Sequence, residues 1–558
     1  MGERHHSFWP PKVPLQVTLP ETSIWFNLEV SAARYPNKAA IVFYDSVLTY
    51  AEFKHQAEQL AGYLQRECGV KHGDRVALYM QNCPQFFIGF YAILRADAVV
   101  VPINPMNVTN ELQYMLEDSG AEVLLVAQER FEQVRPLLGT KTLRHTIVTT
   151  YSDYLTRETD LAIPEFVSAP REPVDGRGVI ALADALERDL QPGRDTVKSD
   201  DLCVMPYTSG TTGHPKGCMH THRSVMATTV AGPHWQRSFQ DETVLAVLPL
   251  FHVTGMQNSM NSPIYSGATV VVVPRWDRDV VAELIQRYRV TGWTSVPTMV
   301  VDLLSSPNLK NYDLSSLKSM GGGGAAMPEA IAKKLEKLCG LTYQEGYGLS
   351  ETIAATHMNP TQNAKKQCLG VPIFGVDSRV VDPETLRELP VGEIGEIITH
   401  GQQVFKGYWN KPEANAAAFV QIDGKTFFRT GDLARVDEDG YFFLVDRLKR
   451  MINAAGFKVW PAEVEAQLYA HPAIQEAAII SQKDPRRGET VKAVVVLEAS
   501  ARGEVTEQQI IDWARAQMAA YKVPRSVEFV DVLPKSGSGK ILWRLLQEEE
   551  DARAARLA

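Results

Sequence analysis

Residues 207–217, YTSGTTGHPKG, are of the types that hold phosphate. Glycines and small hydroxyl residues let successive backbone N–H groups turn toward phosphate oxygens, hydroxyls add donors, and Lys216 supplies a point charge. This is not a Walker A loop, because Pro215 precedes Lys216 where that motif demands glycine. A polar surface loop could share the composition, so the segment alone leaves both readings open. A second run, residues 321–324, fits G-x-G-x-x-A as Gly321, Gly323 and Ala326, and Glu345 lies about 20 residues on, as a dinucleotide fingerprint asks. Against that reading, SSLKSM ahead of the glycines makes a poor buried strand, and Pro328 follows at once.

Such loops need a rigid frame, and the first half of the chain is patterned to build one. Thr49 and Glu52 form a capping box ahead of Phe53, Ala57, Leu60, Ala61 and Leu64, which share one helical face. Residues 76–80 then read as a strand, 85–95 as a helix and 98–103 as a strand; a helix from about residue 110 and a strand at 123–126 repeat the alternation. The fold class predicted is α/β, with sheets covered by helices on both faces. Residues 157–201 mix proline, glycine and charge and read as a connection or decoration. The run DRLKR at 446–450 separates a β-rich stretch from GFKVWPAEVEAQL, where a helix should begin at 461–463. This predicts a large N-terminal domain, 1–447, and a small C-terminal α+β domain, 448–558. The tail QEEEDARAARLA reads as a solvated helix end.

At 558 residues, 45% hydrophobic and 22% charged, the chain can bury more than one core. A net charge of −9 repels polyanions and gives no counterion-release drive toward DNA or RNA, so no nucleic-acid partner is expected. The six cysteines include no C-x-x-C pair, which opposes a zinc ribbon or disulfide framework and fits a reducing cytoplasm. The start, MGERHHSFWPP, lacks the apolar core of a signal peptide, and the apolar stretch 86–101 is cut by Arg95 and Asp97. No membrane span is expected; peripheral membrane contact and a homodimer are not opposed.

The phosphate-type loop is followed by LPLFHVTGM (248–256), GGGGAAMP (321–328), GYGLSET (346–352), RTGDLARVDEDGYFFLVDRLKRMI (429–452), GFKVWPAEVE (456–465) and PKSGSGKI (534–541). In this order, across residues 49–546, they resemble the adenylate-forming superfamily of acyl-CoA synthetases, beetle luciferases and nonribosomal peptide adenylation domains. The resemblance implies a large AMP-binding domain and a small mobile one. It also implies a two-step reaction: a carboxylic acid and ATP give acyl-adenylate and pyrophosphate, then coenzyme A takes the acyl group and AMP leaves.

By that resemblance, Thr208, Ser209, Gly210, Thr211, Thr212 and Lys216 would wrap the ATP phosphates. Glu351 would hold Mg²⁺ with the Thr208 hydroxyl, a hard cation on phosphates usually taking one or two protein carboxylates. Gly323, Gly324 and Ala325 would let the backbone pass close to adenine, with Tyr347 stacked on it and Gly346, Gly348 and Ser350 beside it. Asp432 would bind the ribose hydroxyls, two acceptor oxygens suiting a vicinal diol, with Arg447 as its partner. His252 would meet the acyl carboxylate. Lys540 would carry adenylation, because a cation that meets charge developing at the α-phosphorus favours the transition state over bound ATP. Lys449 matches a hinge, and Asn453, Ala455, Gly456 and Phe457 would line the pantetheine path. The pairs His220/His222 and His5/His6 have no metal-like companions and receive no role.

Trp235, Met256, Met260, Thr294, Met320, Gly321 and Gly322 would border the acyl pocket. Small residues at 321 and 322 suggest depth, the methionines are adaptable apolar walls, and no cation awaits a second carboxylate. A medium- or long-chain fatty acid is therefore expected, with a cinnamate- or benzoate-type acid second. A luciferase-like adenylating enzyme shares the first-step parts. From another class, an inactive ATP or acyl sensor would not need Lys216, Glu351 and Lys540, all of which are present.

Overall fold

The computed structural model describes residues 4–140, 142–208, 214–323, 327–454, 457–484, 488–535 and 541–557. The chain divides into two compact units, one built from His5–Asp377 with His400–Phe428, the other from Ser378–Thr399 with Arg429–Ala558.

In the larger unit the predicted alternation forms a seven-stranded sheet. Val99–Ile103 and Val123–Ala127 flank Arg75–Tyr79 in parallel and are buried at every residue. A parallel strand covered on both faces has no polar side, which is why these segments read as unbroken apolar runs. The capping box forms as expected at the start of Tyr50–Arg66: the Thr49 hydroxyl accepts from the Glu52 N–H at 3.3 Å, and the Glu52 carboxylate accepts from the Thr49 N–H at 2.8 Å. Residues 157–201 are more than decoration, since Val179–Ala181 extends this sheet as a parallel edge strand beside His145–Thr149.

A nine-stranded sheet carries a second parallel run, in spatial order Gln344–Leu349, Ser319–Gly322, Gly292–Ser295, Thr243–Ala246, Thr269–Val272 and Ala39–Phe43, closed by antiparallel strands at both ends. Of the segment ahead of the glycine run, SSLKSM, only Ser319 and Met320 are strand, and with Gly321 and Gly322 they form a central one in which Met320 is buried. Its glycines are dictated by strand spacing. A Cβ on Gly321 would lie 2.4 Å from the Gln344 carbonyl oxygen, and one on Gly322 only 1.9 Å from that of Ser295. The bareness of these positions is therefore a demand of the sheet, a reason distinct from pocket depth.

In the smaller unit, residues 432–436 pair antiparallel with Phe442–Arg447. Farther on, Gly488–Leu497 pairs with Ile474–Asp484, Ile452–Ala454 and Ser526–Phe529, and packs Val491, Ala493 and Val495 against Ile479, Leu468 and Ile510. The helix predicted to begin at 461–463 runs Pro461–Leu468. The last helix, Trp543–Leu557, is not merely a solvated end: Glu550 is buried and holds the buried Lys492 ammonium at 2.6 Å. That pairing across the fold is invisible in a charge-rich tail.

Candidate active site

Ligands of open α/β sheets gather beyond the carboxyl ends of parallel strands, and several expected site residues stand there: Gly322 and Gly323, Thr294, and the segment 347–351. Tyr207–Thr208 and Lys216–Gly217 form a short antiparallel pair that sets Thr208 opposite Lys216. The pair is braced from below, where the Tyr207 hydroxyl donates to Asp118 at 2.8 Å and Lys411 pairs with the other Asp118 oxygen at 2.7 Å.

Residues 406–409 run alongside 217–219: the Trp409 N–H donates to the Gly217 carbonyl at 2.8 Å, and the Met219 N–H to that of Gly407 at 3.0 Å. This register delivers Tyr408 between two expected ligands. Its hydroxyl donates to Glu351 Oε1 at 2.8 Å, and the Lys216 Nζ lies 4.9 Å from its ring centre, within cation–π range. Glu351 is 8% exposed, in a short 3-10 turn Ser350–Thr352. The backbone around it is held tightly. The Glu351 carbonyl accepts from the Phe405 N–H at 2.9 Å, and the Ser350 carbonyl lies 2.7 Å from His220 Nε2. Burial lowers the His220 pKa to about 4, so the ring is neutral at pH 7 and Nε2 carries the proton it donates to that carbonyl. Beyond Glu351, Ile353 and Ala354 have φ of 44° and 82°, a region costly for side chains with a Cβ, and a Cβ on Gly348 would lie 1.7 Å from the Ala354 oxygen. Gly348 is thus required where the chain doubles back beneath the carboxylate.

Tyr347 faces His357 across the antiparallel register, with ring centres 5.6 Å apart, and Gly346 lies against Gly323, where a Cβ would come within 2.6 Å of its carbonyl oxygen. Glu345 does not serve a ribose. Its oxygens accept from the Met327 and Cys368 N–H groups at 2.8 and 3.3 Å, and burial raises its pKa. His252 follows the strand Thr243–Ala246 and caps Val253–Met256, Nδ1 accepting from the Thr254 N–H at 3.3 Å.

Among the acyl-pocket candidates, Thr294 and Gly321 are register partners, as are Trp293 and Met320. Met256 and Met260 are fully buried, and Met260 lies in a π-helical turn, Gln257–Asn261, an irregularity often found at functional sites. Trp235 is anchored by its indole N–H to the Asn359 carbonyl at 3.0 Å and meets Trp9 edge-on at 4.7 Å.

In the smaller unit Asp432 and Arg447 form an ion pair at 3.0 Å, Asp432 being 2% exposed. Lys449 lies in the turn Leu448–Arg450. Asn453 pairs with Lys458 across a short hairpin whose Phe457 is exposed and stacks on Tyr521 at 5.0 Å. Ser209, Gly210, Thr211, Thr212, Gly324, Ala325, Ala455, Gly456 and Lys540 lie outside the described residues.

Sequence reasoning missed Tyr408, His220 and Asp118. Tyr408, in GYWN, stands 57 residues beyond Glu351 with no spacing rule to join them, and the His220/His222 pair lacks the metal-like companions that would single it out.

Residues 28–409 match the model of the AMP-binding enzyme family, and residues 463–540 that of the AMP-binding enzyme C-terminal domain. The chain belongs to this family. It is 37% identical over 551 residues to a long-chain-fatty-acid–CoA ligase of Bacillus subtilis (strain 168), covering 97% of each chain. It is also 37% identical to a feruloyl-CoA synthase of an Amycolatopsis species, over 91% of this chain and 95% of that one. Among solved structures it resembles ATP-bound MatB from Rhodopseudomonas palustris, with a TM-score of 0.83, 28% identity and coverage of 96% and 100%.

Proposed function

We propose that the protein converts a medium- or long-chain fatty acid to its CoA thioester through an acyl-adenylate. It is an ATP-dependent, AMP-forming acid–thiol ligase. The observation that carries the proposed site is the placement of Tyr408 between Glu351 and Lys216.

In the first step an acid oxygen attacks the α-phosphorus, the bond to the bridging oxygen breaks, and pyrophosphate leaves. Lys216 and the loop from Thr208 hold the β- and γ-phosphates, while Lys540 meets the charge gathering at the α-phosphorus. Hard oxygen donors suit Mg²⁺, and a buried carboxylate already oriented by a phenol fits it, so Glu351 and the Thr208 hydroxyl would hold the ion. Mg²⁺ would neutralise phosphate charge there. Tyr347 with Gly323 and Gly346 would receive adenine, and Asp432 with Arg447 the ribose. In the second step the CoA thiol, losing its proton, attacks the acyl carbonyl and AMP leaves. Residues 448–558 would turn about Lys449 between the steps, bringing Asn453, Gly456 and Phe457 to the pantetheine path.

The fatty-acid reading is supported by the buried methionines Met256, Met260 and Met320 and by the relative matched over 97% of its length. The feruloyl-CoA synthase at equal identity supports an aryl acid as the second reading. Among the described residues no helix is long and apolar enough to cross a membrane and no disulfide joins the six cysteines, which supports a cytoplasmic setting. A panel of acids assayed for AMP and CoA thioester tests the reading. Acids from octanoate to palmitate should exceed ferulate and benzoate in kcat/KM by about tenfold or more, the scale of several extra buried methylenes. Preference for the aryl acids would overturn it in favour of the second.

A further inference from the structure

Asn82 links the two sheets of the larger unit. It lies between the strand Arg75–Tyr79 of one sheet and the helix Pro84–Arg95, and it is 3% exposed. Both polar atoms of its amide are turned toward the other sheet. Oδ1 accepts from the Leu250 N–H at 2.8 Å, and Nδ2 donates to the Leu248 carbonyl at 2.9 Å, with the Val273 and Ala246 carbonyls at 3.4 and 3.5 Å. An amide so deep must find its partners inside the protein, and here they are all main-chain atoms at or just past the carboxyl ends of Thr243–Ala246 and Thr269–Val272. The backbone beside it is also fixed: the Gln81 N–H donates to the Tyr151 hydroxyl at 3.0 Å, which donates to Glu129 at 3.1 Å.

The segment that Asn82 grips, 248–250, leads directly to His252. The His252 N–H donates to the Pro249 carbonyl at 3.1 Å, and its Nδ1 accepts from the Thr254 N–H at 3.3 Å, which assigns the ring proton to Nε2. The following helix, Val253–Met256, is set tightly on the same segment. A Cβ on Gly255 would lie 2.3 Å from the Pro249 oxygen and 2.7 Å from that of Leu248. Gripped by Asn82 and pressed by Gly255, this turn has no slack, and the imidazole it carries inherits its position.

We infer that Asn82 is a positioning residue for His252: by fixing the main chain at Leu248 and Leu250, it sets where the imidazole meets the acid carboxylate. The inference rests on the reading of His252 as the group that meets the acyl carboxylate, and adds what holds that group in place. An amide suits the position because one planar group offers a donor to the Leu248 carbonyl and an acceptor to the Leu250 N–H. A carboxylate of the same shape would turn a second acceptor on the Leu248 carbonyl.

The test is a double-mutant cycle on Asn82→Ala and His252→Ala, read as kcat/KM for the acid and KM for ATP, together with amide hydrogen exchange at Leu250. Asn82→Ala should lower kcat/KM for the acid by about tenfold or more, the scale on which a displaced site group acts, while KM for ATP stays within about twofold. His252→Ala should lower it at least as far. Adding Asn82→Ala to His252→Ala should lower it by no more than about twofold further, because both act through one imidazole. Asn82→Ser, a gentler change that keeps a short hydroxyl, should show the same pattern at smaller size. In the wild type the Leu250 amide should exchange as slowly as the buried strands, and rapid exchange there overturns the grip even if neither Asn82 variant folds. Losses that multiply in the double variant, or a KM for ATP that rises as far as kcat/KM for the acid falls, overturn the positioning role and leave the reading of His252 standing. Undiminished kcat/KM for the acid in His252→Ala would locate the failure in that reading instead.

Discussion

The Tyr408 hydroxyl donates to Glu351 Oε1 at 2.8 Å while the Lys216 ammonium rests 4.9 Å from the centre of the same ring. One side chain thus orients the expected metal carboxylate and shapes the resting place of the phosphate lysine. Tyr408→Phe keeps the ring and deletes the donor. ATP–pyrophosphate exchange should fall about tenfold and need more Mg²⁺ for half-saturation, the loss expected for a hydrogen bond to a charged group. Lys216→Ala and Glu351→Ala should fall by about a hundredfold or more in folded protein. Exchange in Tyr408→Phe that matches wild type at every Mg²⁺ concentration would remove Tyr408 from the site.

Gly322 should tolerate no side chain, because its Cβ would lie 1.9 Å from the Ser295 carbonyl oxygen and 2.6 Å from the Tyr343 hydroxyl. Backbone cannot yield there without parting two parallel strands. Gly322→Ala is expected to cost about 3 kcal/mol or to prevent folding, as overpacking against backbone does. Urea unfolding at wild-type midpoint would contradict this spacing.

His222, the first residue of helix His222–Gln236, ties that helix to the start of helix Trp25–Arg34 by accepting the Ile24 N–H at its Nδ1, 3.0 Å away. Burial is the main cause that lowers its pKa from 6.5 to about 3, with Asp201 opposing and His72 assisting. The unfolded chain therefore takes up this proton as pH falls through 6.5, and the folded chain only near 3. Its stabilising contribution is complete above 6.5 and is lost as pH falls from there toward 3, at up to about 1.4 kcal/mol per pH unit. His222→Asn keeps an acceptor without the titration. Its unfolding free energy should vary less steeply than wild type between pH 6 and 4, values chosen as roughly the middle of that window; parallel curves would show that His222 titrates normally.

The motifs are legible because each is a local segment of adjacent residues; the structure sets Thr208 opposite Lys216 and buries Glu351. What joins them was not legible. Tyr408 reaches Glu351 only because residues 406–409 lie in register beside 217–219, and register between distant segments leaves no trace in composition. Glu345 looked available to a ribose, yet its carboxylate is spent on the Met327 and Cys368 N–H groups. SSLKSM makes a poor strand over most of its length, and the strand that does form, Ser319–Gly322, borrows the glycines themselves, whose close backbone approach β-propensity does not register. Glu550 shows the same limit in the tail, where charge pattern said solvent and the fold supplied Lys492.

Lys449 lies in the turn Leu448–Arg450, and fixing its φ should hinder a turn of the chain there without removing a group from adenylation. Lys449→Pro should form acyl-adenylate within about threefold of wild type and make thioester at least about tenfold more slowly. Thermal melting near the wild-type Tm is the control. Equal losses in both steps would contradict a hinge at this residue.

The central claim is that the acid oxygen attacks the α-phosphorus and leaves with AMP. A fatty acid labelled with heavy oxygen in its carboxyl group, turned over with ATP and CoA, tests it by mass spectrometry of the products. The account predicts AMP carrying one labelled oxygen on its phosphate, unlabelled pyrophosphate, and one CoA thioester per AMP. Label in orthophosphate accompanied by ADP, or AMP without label, would contradict it.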